Sequence, residues 1–289
     1  MTVPCIADLL KTARSALEAQ KITDAAQLEA EILLAFCLKK TRTYLYTWPE
    51  KTPSENNQAW FNALIQQRLL GKPIAHLIGF REFWGLSLKV TADTLIPRPD
   101  TEILIETALN KALSASTNSK APNPCTVLDL GTGTGAIALA LKSERSDCQV
   151  YAVDISLLAL EVAKQNALDH QLDIEFVHSH WFAQLTTQTP FDLIVSNPPY
   201  IEQQDPHLLQ GDVRFEPLNA LTAGKDGLKD LTLIIDQAWS FLKTNGWLMV
   251  EHGYNQGSAV RTLFALNGYQ NIETIKDYGN NPRVTIGQK

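Results

Sequence analysis

Long apolar runs are missing: no window approaches 18 consecutive apolar residues, which excludes a transmembrane helix. The first twenty residues, MTVPCIADLLKTARSALEAQ, lack a basic stretch followed by an apolar one, so no signal peptide is expected. Cysteine is scarce, with four residues (Cys5, Cys37, Cys125 and Cys148) and no CxxC spacing. That removes a thiol-rich zinc or redox motif, and four unpaired structural thiols in a reducing, cytoplasmic setting are expected. His178 and His180 alternate onto one strand face, while His76, His170, His207 and His252 are scattered. No Cys/His/carboxylate set has ligand spacing, so no metal is expected. Positive charge is also short: 25 Lys+Arg against 31 Asp+Glu leave a net charge of −6. That balance argues against a long nucleic-acid footprint. It is uneven, at +3 over residues 1–90 and −9 over residues 91–289, but +3 is no more than a solvated surface carries.

What is present is ordinary for a soluble globular protein. Hydrophobic residues make up 45% and charged residues 19%, which excludes disorder and coiled coil. At 289 residues the chain can bury a core without staples and has room for about two domains. The first 75 residues read as helical. Ile6, Leu9, Leu10, Ala13 and Leu17 recur at helical spacing. A second helix follows the capping pair Thr23-Asp24, with Leu28, Ile32, Leu33 and Phe36 on one face, and a third spans 54–70 and stops at Gly71. Tyr44, Leu45, Tyr46 and Trp48 between them read as core in preference to an exposed docking patch. From Ile74 to Val90 alternation suggests a β-hairpin, and Ile96-Pro97-Arg98-Pro99 is a rigid extended segment. Asp100 or Thr101 is expected to cap a helix over 102–113, followed by a polar linker over 114–124. Strands at 126–130, 149–153, 174–178, 191–195 and 247–251 then alternate with helices near 135–144, 156–169, 230–243 and 255–267, and two strands at about 271–277 and 283–287 close the chain. That rhythm predicts an α/β fold with a mostly parallel, doubly wound sheet.

Asp129-Leu130-Gly131-Thr132-Gly133-Thr134-Gly135 joins the first sheet strand to its helix, where ligands of open α/β sheets bind. Gly131, Gly133 and Ala136 also satisfy the dinucleotide pattern. Asp154 ends the next strand, where a carboxylate can accept both ribose hydroxyls of any adenosine cofactor. A nicotinamide-dependent dehydrogenase therefore stays open at this point. The strand Phe191–Val195 runs into Ser196-Asn197-Pro198-Pro199-Tyr200. Two prolines have no N–H and stop the ladder abruptly. An amide oxygen from Asn197, backbone carbonyls and the Tyr200 ring together suit a planar –NH2 group. The irregular stretch 201–230 is expected to cover substrate in part, with Arg214 and Glu216 as a candidate pair.

The tetrapeptide Asn197-Pro198-Pro199-Tyr200 resembles that of class I methyltransferases acting on amide or exocyclic amine nitrogens. Gly71 to Gly79, Arg81 to Gly85, Ile96 to Glu102, Arg214 to Pro217 and Glu251 to Gly253 resemble the release-factor glutamine methyltransferases, the HemK-type family. The resemblance covers most of the chain from about residue 70. It implies a Rossmann-like seven-stranded sheet with its last strand antiparallel. Residues 1–75 would be a helical substrate-recognition domain, 76–96 a hairpin linker and 97–289 the methyltransferase domain. It implies S-adenosylmethionine as cofactor, held by Asp129, Gly131, Thr132, Gly133, Thr134, Gly135, Asp154, Trp181 and Asn197. By composition alone Trp181 would be core. It also implies a glutamine substrate from class I peptide-chain release factors, bound by Asn197, Pro198, Pro199 and Tyr200. Of these, Asn197, Pro198 and Tyr200 are the expected catalytic residues. Membrane and direct nucleic-acid partners are not expected, nor is an oligomer. A nucleic-acid amine methyltransferase using the same tetrapeptide is the alternative, and a catalytically silent binding protein the third reading.

Overall fold

The computed structural model describes residues 3–113, 125–185 and 190–289, in two units. The first takes residues 1–80 together with 206–215, and the second takes 81–205 and 216–289. The predicted linker over 114–124 lies outside the described residues. Among the described residues no helix is long and apolar enough to cross a membrane.

The first unit is built from α1 (Ile6–Ala19), α2 (Ala26–Leu38), α3 (Arg42–Thr47), α4 (Glu55–Leu69) and α5 (Ile74–Ile78). Ile6, Leu9, Leu10, Ala13 and Leu17 of α1 pack on Ala30, Leu33 and Leu34 of α2 and on Phe61, Leu64 and Ile65 of α4. Each large aliphatic side chain so buried contributes about 1.5–3 kcal/mol before entropy. Three local expectations change. Thr23 accepts the Ala25 N–H at 3.0 Å and shapes a turn, so Thr23-Asp24 does not cap α2, and Leu28 is exposed. Of the aromatic stretch, only Leu45 is fully buried; Tyr44 packs partly buried against the core, and Tyr46 and Trp48 are exposed. Ile74–Ile78 is helical, leaving the hairpin to begin at Phe80.

Segment 206–215 joins this unit through Arg68, whose buried guanidinium reaches Glu29 (2.8 Å), Asp212 (2.9 Å) and the carbonyls of Gly71 and Lys72 (both 3.2 Å). Arg214 donates to the Leu70 carbonyl at 3.2 Å.

The second unit opens with the hairpin β1 (Phe80–Phe83) and β2 (Leu86–Lys89) and continues through α6 (Glu102–Lys111), β3 (Thr126–Leu130), α7 (Ala136–Glu144), β4 (Gln149–Asp154), α8 (Leu157–Asp169), β5 (Glu175–His178), β6 (Phe191–Ser196), α9 (Lys229–Phe241), β7 (Leu242–Glu251), α10 (Gly257–Leu266), β8 (Gln270–Lys276) and β9 (Pro282–Gln288). The seven-stranded order is β5-β4-β3-β6-β7-β9-β8, and only β9 runs antiparallel to its neighbours. Helices cover both faces. Ile103, Leu104, Ile137 and Leu141 lie on one, and Leu231, Ile234, Val260 and Phe264 on the other. That double burial is why β3 and β6 read as near-continuous apolar runs.

The register Thr126↔Gln149 sets Cys125 opposite Cys148, with Cα atoms 4.6 Å apart, and they form a disulfide. The expectation of four unpaired thiols is therefore corrected. Residues 23 apart in the chain become neighbours because a right-handed crossover returns β4 alongside β3. Asp147 completes a cluster with these two cysteines, but both sulfurs are spent on each other.

Candidate active site at the carboxyl edge of the sheet

The glycine loop leaves β3 and turns under its neighbour strand. The N–H groups of Gly131 and Thr132 both donate to the Val153 carbonyl, at 2.8 and 2.9 Å, and that of Gly133 donates to Asp154 at 2.9 Å. Asp154 also accepts from the Ser156 N–H at 2.8 Å. Burial pushes its carboxyl upward, against the pull of these amides. The N–H groups of Gly131, Thr132 and Gly133 are thus engaged within the protein.

Asp129 stands behind the loop. Its Oδ2 accepts from the Thr132 hydroxyl at 2.6 Å and from the Ala138 N–H at 3.2 Å, and the residue is fully buried. Burial raises its carboxyl to about 7. The structure does not bring it to the cavity wall, so the expectation of Asp129 as a direct cofactor contact becomes one of a brace. Thr132 spends its hydroxyl on Asp129, the Thr134 carbonyl is held by Asn166 at 2.9 Å, and Gly135 faces Leu139 and Ala163. These three support the loop from inside. Gly131 and Gly133 are the loop residues that line the cavity.

That cavity, of about 260 Å³, is walled by Gly131, Asp154, Ile155, Trp181, Asn197 and Pro199, among others. Trp181 has φ +50°, uncommon for a bulky residue. Ser179 holds the turn by donating to the Trp181 carbonyl at 2.9 Å. The indole lies against Gly131, whose φ is +71°, and a Cβ there would sit 3.2 Å from the ring. Only glycine gives this close approach without strain. Ile155 is an exposed apolar residue beside it, a contact that sequence reasoning missed. Its signal was its place directly after an acidic strand end.

Asn197 follows β6 and lines the same cavity. Its Nδ2 donates to the Thr101 hydroxyl at 3.1 Å. Thr101 was expected to cap α6; it occupies the cap position but makes no capping bond. The Ile96–Thr101 segment is held in place by Glu216, which accepts from the Ile96 N–H at 2.9 Å and pairs with Arg98. Pro198 is buried and, like Tyr200, is not part of the cavity wall. The Tyr200 hydroxyl donates to Glu251 at 3.2 Å, and its carbonyl accepts from Gln256 at 3.0 Å. Gly227, with φ +69°, passes so close that a Cβ would lie 2.2 Å from the Tyr200 carbonyl oxygen. Glu251 is fully buried, and that burial raises its carboxyl to about 7, against a hydrogen bond from Thr101 and the charge of Arg283. Thr101, Glu251, Gln256 and Gly227 were not read from the sequence as site residues.

Among the described residues, the second unit holds three buried side-chain atoms without a hydrogen-bond partner: Asp129 Oδ1, Trp181 Nε1 and Glu251 Oε2. All three belong to residues at or just past the carboxyl ends of parallel strands. Of these three residues, Trp181 lines the cavity.

Comparison with known proteins agrees with this geometry. The description "PrmC N-terminal domain" matches residues 8–79, and "Methyltransferase small domain" matches residues 106–212. The chain is 50% identical over 285 residues to the release factor glutamine methyltransferase of Shewanella oneidensis, covering 98% of this chain and 96% of that one. It is 47% identical over 276 residues to that of Escherichia coli (strain K12), covering 95% and 96%. A methyltransferase structure from Pyrococcus furiosus shares the fold, with a TM-score of 0.53 and 18% identity, over 78% of this chain and 97% of that one. With its Rossmann-like seven-stranded sheet, its helical N-terminal unit and its Asn197-Pro198-Pro199-Tyr200 corner, the chain belongs to the release factor glutamine methyltransferase family.

Proposed function

We propose that this chain transfers a methyl group from S-adenosylmethionine to the side-chain amide nitrogen of the glutamine in the Gly-Gly-Gln motif of class I peptide-chain release factors. The observation that carries the reading is Asn197. One hydrogen of its –NH2 goes to Thr101, which makes the amide oxygen the acceptor it can offer to the cavity. A substrate amide brings two N–H donors and needs acceptors, so that orientation is the one it requires.

The residues present fit the cofactor. The indole of Trp181 with its unpartnered N–H, the bare edge of Gly131 and the apolar Ile155 suit a flat heterocycle, and Asp154 suits ribose hydroxyls. When bound, S-adenosylmethionine supplies an electrophilic methyl group on a sulfonium. The chain's own part is to present the nucleophile. Asn197 Oδ1 accepts one amide hydrogen and the Pro198 carbonyl accepts the other, holding the nitrogen in line for attack. As positive charge grows on nitrogen, both oxygens stabilise it, and one clamped hydrogen then leaves as a proton. Alignment of this kind contributes up to ~7–11 kcal/mol. A preorganised dipole aimed at developing charge contributes roughly 3–4 kcal/mol. Tyr200 is anchored on Glu251 through its hydroxyl. The helical first unit recognises the release factor away from the glutamine, and the chain acts as a cytoplasmic monomer without contacting nucleic acid itself.

Mass spectrometry of release factor incubated with the chain and cofactor tests this directly. One added methyl on the Gly-Gly-Gln glutamine is expected. Methyl transfer to RNA alone, or to no substrate, would overturn it.

A further inference from the structure

The amide clamp has a second layer. A carboxamide presents an acceptor at one end and a donor at the other, and a half-turn about the last side-chain bond exchanges them. Asn197 can serve a substrate amide in only one of the two orientations. With the –NH2 turned into the cavity, two donors would face each other and no bond would form. Something outside the cavity must therefore distinguish the two ends.

We propose that Thr101 is a positioning residue that fixes the orientation of Asn197 by accepting its Nδ2 hydrogen. The inference rests on the function proposed above but concerns the support of the clamp. The Asn197–Thr101 bond is 3.1 Å, and Thr101 is buried, so neither partner can exchange the contact for water at no cost. In this contact the amide N–H meets a hydroxyl lone pair, so the –NH2 end is held on Thr101 and Oδ1 is the end left to face a substrate amide. Thr101, at the head of α6, makes no capping bond to the helix.

Thr101→Val removes the hydroxyl at nearly constant shape, and Thr101→Ser keeps it. Methyl transfer to release factor should fall about tenfold or more in kcat with valine, with cofactor affinity changed less than about threefold. Serine should recover activity to within about threefold of wild type. In an Asn197→Ala background, adding Thr101→Val should cost less than about twofold, because the group it positions is gone. A second readout needs no turnover. In chain labelled with nitrogen-15 at asparagine, the Asn197 side-chain signal, assigned by its loss in Asn197→Ala, should show one slowly exchanging hydrogen in wild type and Thr101→Ser. Thr101→Val should lose it. Thr101→Ala serves the same comparison if valine prevents folding. A valine variant that keeps both kcat within twofold and the protected hydrogen would overturn the proposal, as would a serine variant as impaired as valine. If wild-type chain transfers no methyl to release factor, the function reading fails, and the exchange measurement alone decides on Thr101.

Discussion

The two edges of the parallel strands in the second unit are built on opposite principles. At the amino edge, polar and covalent ties are closed. Cys125 is bonded to Cys148, and Asp192 accepts from the Thr126 N–H at 2.8 Å and pairs with Lys243 at 2.7 Å. At the carboxyl edge, Gly131, Asp154, Trp181 and Asn197 line a cavity, and Asp129 and Glu251 are buried behind it. The same sheet therefore closes its ties at one edge and carries the cavity at the other. Elements that bind ligands commonly give up some stability to do so.

The division can be broken by any variant that moves the wrong property. The largest effect is expected from Asn197→Ala: turnover should fall about a hundredfold or more, with the melting temperature nearly unmoved. Steady-state kinetics beside thermal melts would show it, and a large loss of stability would undo the separation of the edges. Replacing Cys125 and Cys148 together by serine should do the reverse. Closing a loop of this size is worth about 3 kcal/mol, so urea midpoints should drop without reductant while cofactor binding holds. With reductant present, the difference between variant and wild type should disappear.

Gly131→Ala sharpens the contrast, because here one residue serves both properties. Its left-handed φ of +71° costs a non-glycine residue about 1–2 kcal/mol, and the added methyl meets the Trp181 ring. Cofactor affinity, read by calorimetry, should fall about tenfold alongside that modest destabilisation.

The edges should also differ in their response to pH. Burial raises Asp129 and Glu251 to about 7, in a setting where Glu251 faces Thr101, Tyr200, Arg283 and Asp100. A raised acid contributes stability that is complete below its unfolded value and is lost as pH climbs through about 7. Asp192 is opposite. Burial pushes it up, but Lys243 and the Thr126 donors hold it below the usual carboxylate range. Its contribution is present above the unfolded value and is lost only as pH falls through the lower folded one. Melting curves from pH 5 to pH 8 should therefore show a decline that Asp129→Asn or Glu251→Gln flattens, whereas Asp192→Asn should leave that slope unchanged. A slope that ignored Asp129 and Glu251 would mean that the carboxyl edge is wetter than its burial implies.

Most of the architecture was legible because it is written locally. β3 and β6 are apolar on both faces, α1 repeats its buried residues every three or four positions, and the prolines after Asn197 end a strand by lacking N–H groups. Gly131, Gly133, Asp154 and Asn197 were likewise readable by position and line the cavity, whereas Trp181, which also lines it, came only from the family resemblance. What escaped depends on contacts across long stretches of chain. α3 and α5, of 6 and 5 residues, are too short for periodicity to register. Residues 206–215 look like loop within the catalytic domain until Asp212 meets Arg68, 144 positions earlier. Thr101 reads as a helix cap, and only the fold brings it 3.1 Å from Asn197, 96 positions away.

Pattern along the chain was enough to specify the strand rhythm, the ligand-binding loop and the chemistry of the Asn197–Tyr200 corner, because backbone propensity and burial act over a few residues. Partnership was settled by folding. Which cysteines meet, which arginine Glu216 holds, which hydroxyl orients Asn197 and which carboxyls lose their water all follow from the crossovers that lay distant segments side by side. Hydrogen bonds and desolvation act over a few ångströms of space, and separation along the chain does not reveal that distance.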